Sequence, residues 1–228
     1  MPYVIGLDLG QTNDPTAIAV LEQSRRPRSD RPAETETAYL CSHLERVPLG
    51  TSYTAIVARV AVLLRTPPLS GSALAIDQTG VGRPVVDMFR QAQLMAWMRP
   101  ITITAGSAVT QDLDGFHVPK KELVSLLNVL LQFRRLRIAA QLPEAATLVK
   151  ELQNFRVKIT AAANETFGAW RDGTHDDLVL AVALAAWLGE NSAIGWNGKI
   201  DLPSERGNTY VAQVPKGVFI REETAMPW

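Results

Sequence analysis

Four acidic residues occupy positions in the sequence from which their side chains could form one cation-binding site. Asp8 lies near the end of the first apolar run, and Asp77 ends a later, shorter one. Asp176 and Asp177 open the segment Leu178–Leu188, which is apolar on nearly every helical face. A helix that is apolar all round is normally buried, and negative charge is favoured at its N-terminus.

The positions of these acids predict a metal site. In open α/β sheets, functional sites gather at the carboxyl ends of strands, where we expect Asp8 and Asp77. Carboxylates brought together repel one another unless a cation neutralises them. Hard oxygen ligands suit Mg²⁺ or Mn²⁺, and two such ions about 4 Å apart can activate a water for attack on a phosphodiester. Asp14, across the first turn, is a candidate fourth ligand.

Each acid also has an ordinary structural explanation. An Asp at a strand end often serves a turn, and Asp176 or Asp177 alone would be a typical N-cap. The structural explanation and the metal-binding explanation are compatible if one acid of the pair caps the helix while the other faces the site. Asp14 precedes Pro15 and could form an Asx-turn, and His175 could be a base, a ligand or a surface residue.

The elements that would position these acids predict an α/β fold with a mixed sheet. Two strands form a hairpin and a third follows, then helix, strand, helix and strand, at residues 3–9, 16–21, 37–47, 53–64, 73–77, 84–92 and 98–104. Residues 24–36 are expected to be an exposed loop and 105–118 a loop or hairpin. Residues 119–133 and 143–154 are predicted helices, separated by a basic segment and a strand within 134–139.

The segment Phe155–Thr160 alternates apolar and basic residues. We expect it to pair with Thr166–Trp170 as an added β-hairpin with one cationic face. The acid-opened helix follows. One domain is therefore predicted over residues 1–190, and a mostly irregular tail with one strand, Thr209–Val214, over residues 191–228.

Composition limits the classes of function. The 228 residues are 46% hydrophobic and 20% charged, enough for a sizeable core. With 23 basic and 23 acidic side chains the net charge is zero, which argues mildly against nucleic-acid binding but permits a local basic face. The lone Cys41 excludes an internal disulfide, and neither a Walker A loop nor a Gly-x-Ser-x-Gly motif occurs. We see no signal peptide, and the apolar runs are too short to span a membrane.

Taken together, the motifs resemble the nuclease domain of the large terminase subunit of tailed bacteriophages. The resemblance covers residues 3–190 and is carried by three segments: Gly6–Gly10 with Asp14–Ile18, then Asp77–Gly82, then His175–Leu178. It implies a ribonuclease-H-like fold and an acidic, divalent-metal site that cuts viral DNA. Asp8 and Asp77 match the first two metal-binding acids. The third falls on Asp176 or Asp177, of which we favour Asp177.

The resemblance also implies partners and a setting. Duplex DNA would be the substrate, contacted by basic residues for which the candidates are Lys120, Lys121, Arg156, Lys158 and Arg171. A separate packaging ATPase, the small terminase or the portal protein are possible partners, in the bacterial cytoplasm and without a membrane. Large terminases normally carry an ATPase domain before the nuclease, whereas this sequence opens on the first nuclease strand, so we expect a nuclease domain rather than a complete packaging motor.

Three alternatives remain. One is a binding module with a dead or vestigial site, against which the presence of every expected acid argues. A Holliday-junction resolvase or another ribonuclease-H-like nuclease would use the same acids on branched DNA. The segment Asp8–Asn13 also resembles the phosphate-binding loop of sugar kinases and actin-like ATPases. Those proteins need two such domains, however, and that interpretation leaves the helix opened by Asp176 and Asp177 unexplained.

Overall fold

The computed structural model describes residues 2–10, 14–162, 176–191 and 220–221. Strands within these ranges are β1 Tyr3–Asp8, β2 Ala17–Pro27, β3 Thr35–Arg46, β4 Ala73–Asp77, β5 Trp97–Thr104, β6 Thr110–Gln111, β7 Phe116–Pro119, β8 Leu136–Ala139 and β9 Ile220–Arg221. Helices are α1 Tyr53–Arg65, α2 Arg83–Gln91, α3 Lys120–Gln132, α4 Ala145–Ala162 and α5 Asp177–Asn191.

The described strands form one mixed sheet in the order β6-β7-β5-β4-β1-β2-β3-β8-β9. β2 runs antiparallel to both β1 and β3, whereas β4, β5 and β7 run parallel to β1. The carboxyl ends of β1, β3, β4, β5 and β7 consequently lie along one edge of the sheet. The predicted α/β fold, with a central mixed sheet flanked by helices, is confirmed.

Apolar side chains on alternate strand positions build two core layers, because successive strand residues point to opposite faces. Ile5, Leu7, Ile18 and Val20 pack on one face with α1 and α2. On the other face, Val4, Ala17, Ala19 and Ala75 pack with α3, α4 and α5. Asp8 and Asp77 share the strand parity of Val4 and Ala75, so the pleat directs them toward α5 rather than toward α1.

Helix α5 is buried along most of its length, as its uniform apolar composition predicts. Every residue from Asp177 to Leu188 is buried, because the helix lies against β1, β2, β3 and β4 on one side and against α3 and α4 on the other. Trp187 packs edge-on against Phe116 at a centroid distance of 5.3 Å. None of the helices in the described ranges has both the length and the apolar character needed to cross a bilayer.

Two local predictions are wrong. Residues 24–27 belong to β2, because Arg25 and Arg26 pair with Thr37 and Glu36 of β3, so the exposed loop is shorter than expected. Residues 155–160 are not a hairpin strand but the last part of α4, which continues to Ala162.

The sequence of α4 contains the signal for that continuation. Leu148, Leu152, Phe155 and Ile159 recur at helical spacing, so the alternation of apolar and basic residues over 155–160 is compatible with a helix as well as a strand. Positions 156 and 158 lie about 200° apart around a helix axis, whereas in a strand they would lie on the same face. Thr166–Trp170 and Thr209–Val214 fall outside the described residues. The tail segment Ile220–Arg221 pairs with β8.

Candidate metal centre

Asp8 and Asp77 end neighbouring parallel strands. Leu7 lies opposite Ile76 in the β1–β4 ladder, so the next residue of each strand brings the two carboxyl groups side by side. They are hydrogen-bonded to each other, and the residues are only 9% and 6% exposed. Two buried carboxyl groups in such contact need a shared proton or a cation.

The pKa values of both acids are raised, as expected for two buried carboxyl groups in contact. Burial raises the pKa of Asp8 well above its usual value, and the negative charges of Asp77, Asp176 and Asp177 raise it further. Burial also raises the pKa of Asp77, although hydrogen bonds from Thr79 oppose the shift. The Thr79 backbone N–H donates to Asp77 Oδ1 at 2.7 Å, which fixes the carboxyl group at the strand end.

Helix α5 packs closely on β1, and this brings Asp176 and Asp177 near Asp8. Gly6 lies against the α5 backbone, where an added Cβ would collide with the carbonyl oxygen of Ala181 and come within 2.8 Å of the Ala185 nitrogen. Glycine on the strand and alanine on the helix permit this distance. The N-terminus of α5 therefore stands over the carboxyl end of β1.

The side chains of Asp176 and Asp177 have different partners. The Asp176 carbonyl accepts from the Leu180 N–H at 2.9 Å, which makes Asp176 the N-cap residue, and its carboxylate accepts from Lys120 Nζ at 2.9 Å. The Asp177 carboxylate instead accepts from Arg46 Nε at 2.7 Å. The exposed fraction of the side chain is 30% for Asp176 but 5% for Asp177.

Arg46 and Glu151 complete a charge network that the sequence reasoning missed. Arg46 ends β3 and donates to Glu151 of α4 as well as to Asp177. The other Glu151 oxygen accepts from the Val179 N–H at 3.2 Å. Burial, with the negative charge of Asp177, raises the pKa of Glu151 to about 7, against the opposing effect of Arg46.

Arg46 carried a sequence signal that could have been used. It lies one residue before the end of a predicted strand and two residues after the buried Leu44, and thus on the face that meets α5. Ala17 lies opposite both Asp8 and Arg46 in the two antiparallel ladders, so Arg46 stands two strands from Asp8 at the same edge.

The other predicted site residues have different settings or lie outside the described residues. Asp14 is exposed between β1 and β2, and Lys121 is exposed in the first turn of α3. Arg156 and Lys158 belong to the C-terminal part of α4, and Arg171 and His175 lie outside the described residues.

In the part of the chain that the structure describes, no three His, Cys, Asp or Glu side chains are arranged so that they could hold a metal ion as they stand. The paired acids are engaged by cations, since Lys120 contacts the carboxylate of Asp176 and Arg46 contacts that of Asp177. Asp8 and Asp77 lie side by side at the strand ends, where the charge of Lys120 lowers the pKa of Asp77 against the effect of burial.

Fold and acid pair together define the class, an α/β domain with a mixed sheet and two buried acids at one edge of that sheet. The chain is 27% identical over 183 residues to the terminase large subunits of Thermus virus P23-45 and Thermus phage G20c. The match covers 80% of this chain and 31% of each relative, so the chain spans about a third of their length. The resemblance to the terminase large subunit is thereby confirmed.

The solved structures that the chain resembles include two large terminase nucleases. The large terminase nuclease of thermophilic phage G20c is 24% identical with a TM-score of 0.49, over 80% of both chains. The large terminase nuclease domain of bacteriophage SPP1, crystallised with bound Mn, is 11% identical with a TM-score of 0.48, over 84% of this chain and 87% of that one. No protein-family model matches the sequence.

Proposed function

We propose that the chain is a divalent-metal-dependent endonuclease that cuts duplex DNA with little sequence preference. The observation that carries this proposal is the buried, mutually hydrogen-bonded pair Asp8 and Asp77 at the carboxyl ends of adjacent parallel strands, beside the acidic N-terminus of α5. The similarity to terminase large subunits over 80% of the chain supports it.

The donor set fits a hard divalent cation. Asp8 and Asp77 offer carboxylate oxygens, which Mg²⁺ and Mn²⁺ prefer, and a cation would remove the need for a shared proton. For the third ligand we propose Asp176 in place of Asp177, because its side chain is more exposed and its contact is a single ammonium group. Asp14 stays a prediction as a further ligand.

Two bound ions would activate a water and stabilise the leaving oxygen of the phosphodiester. The chain itself would contribute the positioning. Thr79 holds Asp77 in place, and Gly6 lets α5 come close to β1. The pair Arg46 and Asp177 ties the start of α5 to the sheet.

For DNA contact we propose the first turn of α3. Lys121 is exposed there, next to Lys120 and the acidic edge, and could bind the phosphate backbone in a salt-dependent manner. The DNA contacts predicted for Arg156, Lys158 and Arg171 stay predictions.

The setting is also a proposal, because the match covers only 31% of each relative. We propose that the nuclease acts in the bacterial cytoplasm during packaging of a phage genome. Its partners there would be a packaging ATPase, the small terminase or the portal protein.

Incubation of the protein with supercoiled plasmid and Mn²⁺ tests the function. Cleavage by the wild type and none by Asp77→Asn is expected, and a plasmid that stays intact with the wild type would reject the proposal. A parallel reaction with linear duplex and four-way-junction DNA distinguishes the terminase-like activity from a junction resolvase, which would prefer the branched substrate.

A further inference from the structure

Lys120 lies at the same edge of the sheet as the acids. It follows β7 directly, and β7 runs parallel to β5, which in turn runs parallel to β4. The start of α3 therefore stands beside the carboxyl ends where Asp8 and Asp77 lie. The ammonium group reaches Asp176 Oδ2 at 2.9 Å.

Lys120 is also partly withdrawn from water, since its side chain is 21% exposed. A long cationic side chain normally keeps its charged end in solvent, and partial burial of that charge is costly unless acids compensate it. Asp177 is engaged by Arg46 on the other side of the α5 terminus. The charge of Lys120 is thus directed at Asp176 and acts on Asp77 as well.

We propose that Lys120 is a tethered counterion of the acidic edge, which competes with the divalent cation for Asp176 and so weakens metal binding. This inference rests on the proposed function. An ion bound to Asp176 must either displace the ammonium group or sit within a few ångströms of it, and like charges at that distance repel strongly when partly shielded from water. Lys120 is a positioning residue in this account, since it acts through Asp176.

Mn²⁺ affinity, measured by calorimetry at pH 8 without DNA, tests the proposal. Lys120→Met is expected to bind Mn²⁺ at least about fivefold more tightly than the wild type, since one repelling charge is removed. Lys120→Arg keeps the charge and is expected to bind like the wild type. Lys121→Met, the matched control with the same change of charge one residue away, should leave the affinity unchanged.

A second measurement concerns the contact itself. In EDTA, Lys120→Met should melt at a lower temperature than the wild type, and the loss should shrink when Asp176→Asn is already present. Equal or weaker Mn²⁺ binding by Lys120→Met, with metal bound by the wild type, overturns the counterion role and leaves the proposed function standing. If neither the wild type nor Lys120→Met binds Mn²⁺, the metal centre of the proposed function is wrong and this proposal falls with it.

Discussion

Arg46 Nε lies 2.7 Å from Asp177 Oδ2, and this contact joins the last residue of β3 to the first residue of α5. The guanidinium group also binds Glu151, whose second oxygen accepts from the α5 backbone at Val179. One cation therefore holds two buried acids and anchors α5 to the sheet and to α4. The acidic edge depends on where α5 begins, so this contact supports the site without being part of it.

Replacement of Arg46 by methionine is expected to destabilise the protein by about 3–5 kcal/mol, the range seen when one partner of a buried ion pair is removed. Asp177 and Glu151 would be left together without their cation. Urea unfolding in EDTA measures the effect. Arg59→Met is the control, because Arg59 is 57% exposed in its pair with Glu45 and should cost less than about 1 kcal/mol. Equal losses in the two variants would contradict this role for Arg46.

Glu151 predicts a pH dependence of stability. Its pKa is about 7 in the folded protein against a usual 4.5, so the native state binds more protons than the unfolded state between these values. The stabilisation is present at low pH and is lost as the pH rises from about 4.5 through about 7. Glu151→Gln mimics the protonated acid, so the unfolding free energy of the wild type minus that of the variant should fall between pH 5 and pH 8. A difference that is constant or rises with pH would show that Glu151 ionises normally.

Gly6→Ala tests the close packing of α5 on β1. The added methyl group meets the α5 backbone, which has no rotamer to change, so a loss of about 3 kcal/mol is expected, at the upper end of the usual cost of overpacking. Gly106→Ala is the control, since its Cβ would come no nearer than 3.4 Å to Thr104 Oγ1. Chemical denaturation of both variants provides the comparison, and a Gly6→Ala protein as stable as the wild type would exclude this contact.

The parts of the site that could be predicted are those that local sequence marks. Asp8 and Asp77 end apolar strands, and Asp176 and Asp177 open an apolar helix, so each position is defined by its own neighbours. Arg46 and Glu151 are different, because their partnership depends on strand register and on the placement of α4 against α5. The strand predicted over 155–160 was wrong because a short alternating segment is compatible with both the strand period and the helix period. The helix is identified only when the apolar spacing is followed back to Leu148 and Leu152, outside that segment.

Asp176 and Asp177 should separate into a metal-binding acid and a structural one. Asp176→Asn loses the contact with Lys120 but also removes a negative charge that acts on Asp8, so stability in EDTA should change by less than about 1 kcal/mol. Asp177→Asn removes the charge that faces Arg46 in a buried setting, so the loss should be about 3 kcal/mol or more.

Mn²⁺ binding should show the opposite order. Calorimetry is expected to find binding abolished or weakened at least about tenfold by Asp176→Asn, because a ligand oxygen loses its charge. Asp177→Asn should keep most of its affinity at a temperature where it remains folded. The reverse result, with Asp177→Asn stable and unable to bind while Asp176→Asn binds normally, would make Asp177 the ligand. In that case Arg46 would have to release Asp177 before the ion could bind, and Arg46 rather than Lys120 would be the competing cation.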